Sequence, residues 1–117
     1  MINRKIFLNI AMSIIAVLFS GSLGFAQEGK ALVDKGQKIY TEKKCSMCHK
    51  IEGVGGKLGP DLLDVGTRRD AEWIKGFLKD PKSVIPETKQ PPFKGTDEEL
   101  EAVVTYLMSL KKQAGTK

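Results

Sequence analysis

The chain has 117 residues, of which 41% are hydrophobic and 28% charged, and it carries a formal net charge of +5 at pH 7. That length suits one small domain. The basicity is mild, with no Arg-rich block and no basic stripe interleaved with aromatics, which argues against nucleic acid as a partner.

The first residues read as an export signal rather than as part of a fold. Asn3, Arg4 and Lys5 make a basic start, Ile6 to Phe19 is apolar except at Asn9 and Ser13, and Ser20 to Ala26 is small and flexible. Gly24 and Ala26 stand where a signal peptidase reads, so the expected cut follows Ala26. It divides the chain into a signal peptide, 1–26, and a domain, 27–117. An uncleaved membrane anchor is the alternative, but the apolar run is shorter than the roughly 20 residues needed to span a bilayer. No cysteine follows the run directly, which excludes a bacterial lipoprotein anchor. Loss of Arg4 and Lys5 lowers the formal charge from +5 to about +3.

The remaining stretch, roughly 90 residues, is small enough to need a staple. A first helix is expected from about Lys30 to Lys43, with Ala31, Leu32, Ile39 and Tyr40 on its apolar face and Gly36 on or beside it. A glycine there costs about 1 kcal/mol relative to alanine, a cost that makes sense where another helix must approach closely.

Cys45-Ser46-Met47-Cys48-His49 follows, and it holds every cysteine and histidine of the chain. C-x-x-C-H is the attachment pattern of c-type haem. The spacing lets both sulfurs reach the two vinyl groups of one porphyrin, and His49 then lies under the ring as the proximal iron ligand. A C-x-x-C pair alone also fits half a zinc site, a redox dithiol or a disulfide. A structural zinc site closes with a tetrahedral set of Cys or His ligands, and this chain offers only three such side chains. A redox dithiol belongs in a βαβ context, and no strand-like alternation is visible. A disulfide would close a very small loop and leave His49 without a purpose.

Gly53, Gly55, Gly56 and Gly59 break regular structure before Gly59-Pro60-Asp61-Leu62. The Pro60 carbonyl is a candidate acceptor for His49 Nδ1, which would leave the other ring nitrogen for iron. Asp70 reads as the N-cap of a short helix, Ala71 to Leu78, with Trp73, Ile74, Phe77 and Leu78 inward and Asp80-Pro81 ending it. Trp73 is a core residue whose indole N–H is also a candidate donor to a haem propionate. Ser83 to Gly95 is expected as a proline-marked loop. Thr96 and Glu99 form a capping box that opens the strongest helix, with Leu100, Val103, Val104, Leu107 and Leu110 as its stripe and Tyr106 at the border. Lys111 and Lys112 are expected to close it in the sense its dipole favours, and it is expected to cross the first helix near Gly36 and Tyr40.

Gly36 with Tyr40, Cys45 to His49, Gly59 to Leu62, Trp73 with Asp80-Pro81, and Gln90-Pro91-Pro92-Phe93 before Thr96 to Leu107 follow one another as in class I monohaem cytochromes c, which the stretch 27–117 resembles. The resemblance implies an all-α fold of three to four helices around one covalently attached haem c. It implies thioethers at Cys45 and Cys48, iron ligation by His49, and electron transfer rather than enzyme catalysis. Such haem is attached outside the bacterial cytoplasm, in keeping with the export signal and a periplasmic or otherwise exported protein. The expected partners are redox proteins, acidic-faced ones being suited to Lys43, Lys44, Lys50, Lys57, Lys89 and Lys94, or the other subunits of a respiratory assembly. Contact with a membrane is expected only transiently or through a partner.

One position departs from the family. Gln90 stands where the family carries a methionine as sixth iron ligand. Met12 lies in the signal, Met47 on the proximal side and Met108 on the last helix, and the single histidine rules out bis-histidine ligation. Gln90 through its amide oxygen, Lys89 as a neutral amine, Met108, and water or an open position all remain. Without a thioether the reduction potential is expected to fall below that of His/Met relatives. An open or weakly held position would instead suit a haem-based sensor that binds small ligands.

Overall fold

The computed structural model describes residues 24–111. Its contacts divide the chain between Ala31 and Leu32. In the first part, residues 24–31 are helical and exposed. The cut expected after Ala26 falls among them, and the basic start, the apolar run and Met12 lie outside the described residues. Helical residues therefore begin ahead of Lys30, because Ala26, Gln27 and Glu28 are all good helix formers. Ala31 and Leu32 are exposed and do not join the apolar face expected of them. Among the described residues no helix is long and apolar enough to cross a membrane.

The second part is mostly helical. Residues 32–42 form α1. A single 3-10 turn covers Cys45–Met47, and a two-stranded antiparallel hairpin follows, β1 Lys50–Ile51 and β2 Val54–Gly55. Then come α2 Val65–Arg68, α3 Ala71–Lys79, α4 Pro81–Val84 and α5 Asp97–Ser109. The hairpin is a minor addition to the expected all-α fold. Strands of two residues have no period for a sequence to display. Its turn, Glu52-Gly53, has positive φ at both positions, the requirement of a type I′ connection.

α5 organises the core. The capping box is complete: Thr96 Oγ1 accepts from Glu99 N at 3.1 Å, and Glu99 Oε2 accepts from Thr96 N at 2.9 Å. Leu100, Ala102, Val103, Val104, Tyr106 and Leu107 are buried along it. They pack with Ile39 and Tyr40 of α1, Leu62, Val65 of α2 and Ile74 of α3. Each buried large aliphatic side chain contributes about 1.5–3 kcal/mol. α1 crosses α5 at Gly36, where a Cβ would run into the Ala102 carbonyl and the Tyr106 Cβ. One turn on, Tyr40 meets Tyr106 edge to face, ring centroids 5.6 Å apart. The glycine at this crossing is thus required by contact rather than merely tolerated.

Two expectations are corrected at helix ends. Asp80-Pro81 ends α3 but also starts a new turn, α4, inside the stretch expected as loop. Asp80 Oδ1 accepts from Ser83 N and Pro81 sits at the first helical position, where its missing N–H costs nothing. α5 stops at Ser109 with Leu110 as its cap, so no basic residue lies in its last turn. Lys111 comes after the cap, and Lys112 lies outside the described residues. Gly66 N donates to Leu110 O instead, at 2.9 Å, tying α2 to the end of α5.

Candidate functional site

The C-x-x-C-H segment leaves α1 through Lys44, which adopts the left-handed conformation at φ 58°. That reversal starts the 3-10 turn, and Cys48 N and His49 N both donate to Cys45 O, at 3.2 and 3.0 Å. The turn gathers the two cysteines and the histidine on consecutive backbone. Cys45 is half-buried, Cys48 is exposed, and the thiols are not joined to each other. Burial pushes the Cys45 thiol above its ordinary range.

The His49 ring is held from two directions on the Gly59–Pro60 side. Its Nδ1–H donates to the Pro60 carbonyl at 2.9 Å. A carbonyl only accepts, so this bond needs a proton on Nδ1. Gly59 lies flat against the ring, and a Cβ there would stand 2.5 Å from His49 Cε1. Gly59 N in turn donates to Cys48 O at 2.8 Å. The Pro60 segment is itself braced: Arg68 donates to Asp61 O at 2.6 Å and Leu62 N to Lys50 O at 2.9 Å. Asp61 Oδ1 accepts from Leu63 N at 2.9 Å.

The third direction is Gln90, whose Oε1 is hydrogen-bonded to His49 Nε2 at 3.1 Å. The Gln90 amide Nε2 donates to Pro91 O at 3.2 Å, and its backbone N donates to Thr88 Oγ1 at 3.1 Å. Thr88 N is bonded to Ile85 O and Phe93 N to Leu78 O, which pin the loop to α4 and α3. Lys89 is exposed, and Met108 packs against the core on α5. Of the candidate distal residues, Gln90 makes a hydrogen bond to His49.

Trp73 N is capped by Asp70 Oδ1 at 2.8 Å. The indole stacks on Phe77 at 5.1 Å, and the Arg69 guanidinium lies 4.2 Å from its ring centre. Sequence reasoning named Trp73 but missed Arg69 and Thr88. Thr88 carried a signal: a hydroxyl two residues before Gln90 is suited to a local side chain–backbone bond.

These residues fit a haem. Among the described residues no group of three or more His, Cys, Asp or Glu side chains is gathered closely enough to hold a metal ion by itself. Cys45, Cys48 and His49 would hold the group, two thiols and an imidazole on one turn of backbone, and bound haem would supply a one-electron couple there. Met47, Val54, Leu58, Val84 and Ile85 are exposed on the segments that border the motif and lead to Gln90, and a large apolar group is what such side chains cover.

Comparison with known proteins agrees with this geometry. The family model described as Cytochrome c matches residues 33–111. The chain is similar to cytochrome c oxidase subunit 2 of Bacillus subtilis, 30% identical over 98 residues, which are 71% of this chain and 28% of that protein. It is also similar to the menaquinol:cytochrome c reductase cytochrome c subunit of the same organism, 33% identical over 73 residues, 62% of this chain and 27% of that one. The chain spans little more than a quarter of the length of these curated relatives. The crystal structure of the c-type cytochrome SorU from Sinorhizobium meliloti superposes with a TM-score of 0.56 at 26% identity, covering 70% of this chain and 93% of that one. A match running from α1 to the end of α5, through the cysteines, His49 and the loop that carries Gln90, shows that the chain belongs to the cytochrome c family, whose prosthetic group is a covalently bound haem c.

Proposed function

We propose that the protein is an exported carrier of single electrons between redox partners, with Cys45 and Cys48 as the thioether positions and His49 Nε2 as the proximal iron ligand. Bound haem supplies a one-electron ferric/ferrous couple. The observation that carries the reading is the Nδ1–H bond from His49 to Pro60. It fixes the tautomer, aims Nε2 and raises the basicity of the imidazole. Trp73 belongs to the same proposal as donor to a propionate, beside the Arg69 guanidinium. Of the lysines named for docking, Lys43 and Lys50 pair with Glu99 and Asp61, each at 3.9 Å. Lys44, Lys57, Lys89 and Lys94 are exposed and would steer an acidic-faced partner.

The test is expression in a host that matures c-type cytochromes. Expected are a coloured protein whose pigment stays with the polypeptide in acidified organic solvent, and an intact mass showing loss of residues 1–26 and gain of one haem. Colourless protein, or pigment that extracts, would refute the reading. A second reading, a sensor of small ligands, rests on Gln90, whose carboxamide, a weak ligand for ferrous iron, would stand at the distal position. Rapid binding of carbon monoxide coupled to a change in a partner's activity would support it, and electron transfer undisturbed by carbon monoxide would support the carrier.

A further inference from the structure

Two adjacent arginines at the end of α2 serve different neighbours. Arg69 lies over the Trp73 ring. Arg68 reaches back to the segment that holds His49: its Nη2 donates to Asp61 O at 2.6 Å and its Nε to Asp64 Oδ1 at 2.7 Å. Asp64 stands at the N-cap of α2, yet its side chain makes no cap bond. It forgoes the stabilisation an aspartate ordinarily gives there and holds the guanidinium instead. An exposed ion pair four residues apart on a helix contributes only about 0.3–0.5 kcal/mol, so the consequence of this fork lies at its other end.

That end is a single peptide plane. Asp61 C=O and Leu62 N–H belong to the same rigid unit. Arg68 holds its oxygen, and Lys50 O accepts from its N–H at 2.9 Å. Only the two soft dihedrals of Asp61 separate this clamped plane from the one before it. The preceding plane carries Pro60 O, the acceptor of His49 Nδ1–H. From this, and resting on the haem-carrier reading above, we infer that Arg68 is a positioning residue for the proximal imidazole: clamping the Asp61–Leu62 peptide keeps the Pro60 carbonyl on His49 Nδ1–H. That bond raises the basicity of the ring, and a more basic ligand favours ferric iron. Arg68 thereby holds the reduction potential down through geometry. Its positive charge taken alone acts in the opposite sense, because a nearby cation favours the less positive ferrous state.

The opposed signs make the test. Arg68→Lys keeps the charge and loses the planar fork; Arg68→Gln loses both. Covalent attachment of haem is verified first by acid–organic extraction. Exchange of the His49 Nδ1 proton with deuterated solvent is then followed by nuclear magnetic resonance on the ferrous protein under carbon monoxide, which keeps the iron diamagnetic. The wild-type proton is expected to be protected. Both variants are expected to exchange it roughly three- to tenfold faster, the range that loss of one net hydrogen bond spans. Arg68→Lys is also expected to have a raised midpoint potential. A wild-type proton that exchanges as fast as that of free imidazole would overturn the inference, and that measurement needs no variant to fold. An Arg68→Lys protein with wild-type exchange and potential would overturn it too, even if it melted at a lower temperature, because the role would then be structural only. Either result leaves the carrier reading intact. Extractable haem would overturn the carrier reading, and this inference with it, before any variant is compared.

Discussion

At Gly59 the side chain is a single hydrogen because the His49 ring occupies the space a methyl would need. Gly59→Ala is therefore expected to push the imidazole away from Pro60 O, at a cost of about 1–3 kcal/mol typical of overpacking. The haem-loaded protein would unfold at lower denaturant concentration and its iron spectra would change. A variant with wild-type spectra and stability would show that the ring does not rest on Gly59. Tyr40 raises a different question. Its hydroxyl is buried without a hydrogen-bond partner, and burial raises its pKa from 10.0 to about 12. Below pH 10 the folded and unfolded chains both keep this proton. Between pH 10 and 12 the unfolded chain loses it and the folded chain does not, so unfolding releases a proton and stability falls as pH rises, by up to about 1.4 kcal/mol per unit. Tyr40→Phe removes both the titration and the unpartnered hydroxyl. It is expected to be at least as stable as the wild type at pH 7 and to decline less between pH 10 and 12, as measured by denaturant titration across that range. A phenylalanine variant less stable by more than about 1 kcal/mol at pH 7 would mean that the hydroxyl has a partner worth a hydrogen bond.

Among the elements, α5 was the most legible in the sequence, and for local reasons. Thr96 and Glu99 announce its start, and its aliphatic spacing announces the buried face. Thr96→Ala removes the acceptor for Glu99 N and is expected to cost about 0.5–2 kcal/mol in thermal or denaturant unfolding. A loss near zero would mean that the end is held by packing alone. The crossing at Gly36 was legible too, because a glycine amid helix formers needs a contact to justify it. What escaped notice has equally physical causes. α4 was hidden because Asp-Pro terminates one helix and caps the next with the same residues. The hairpin was hidden because two-residue strands show no alternation. The cysteines and His49 could be read within five residues of chain, whereas Gln90 depends on a partner 41 residues away. The resemblance to the family marked that position, Gln90-Pro91 standing where a methionine is usual, but left the distal ligand undecided among several donors. The commitment of the Gln90 amide to Pro91 is a matter of side-chain torsion, which composition and spacing do not encode. The unpartnered Tyr40 hydroxyl was unreadable for a related reason, since it depends on neighbours supplied by α5 and by the Cys45 turn.

The molecule as a whole distributes its apolar burial unevenly. Six of the buried core residues lie on α5, with the others in α1, α2, α3 and at Leu62. No residue from 44 to 59 is buried, and in that stretch only Cys45 and Ile51 pack partly against the core. The stretch that carries the cysteines and His49 is held by backbone hydrogen bonds, which contribute about 0.5–1.5 kcal/mol each in net terms, against an ordering cost of about 1–2 kcal/mol per residue. On that balance the segment is expected to gain much of its order from what it binds. Two thioethers and an iron–imidazole bond would tie it to an apolar body that the rest of the domain also touches. A Cys45→Ser, Cys48→Ser chain, unable to attach haem, is expected to keep helicity in α5 and to lose cooperative unfolding. Hydrogen exchange should show residues 44–59 and the Gln90 loop unprotected before α5 opens. Circular dichroism melting and exchange mass spectrometry on the two forms would check this. An unattached chain that melts as sharply, and at the same temperature, as the haem-loaded protein would show that the helical core alone suffices to hold the site.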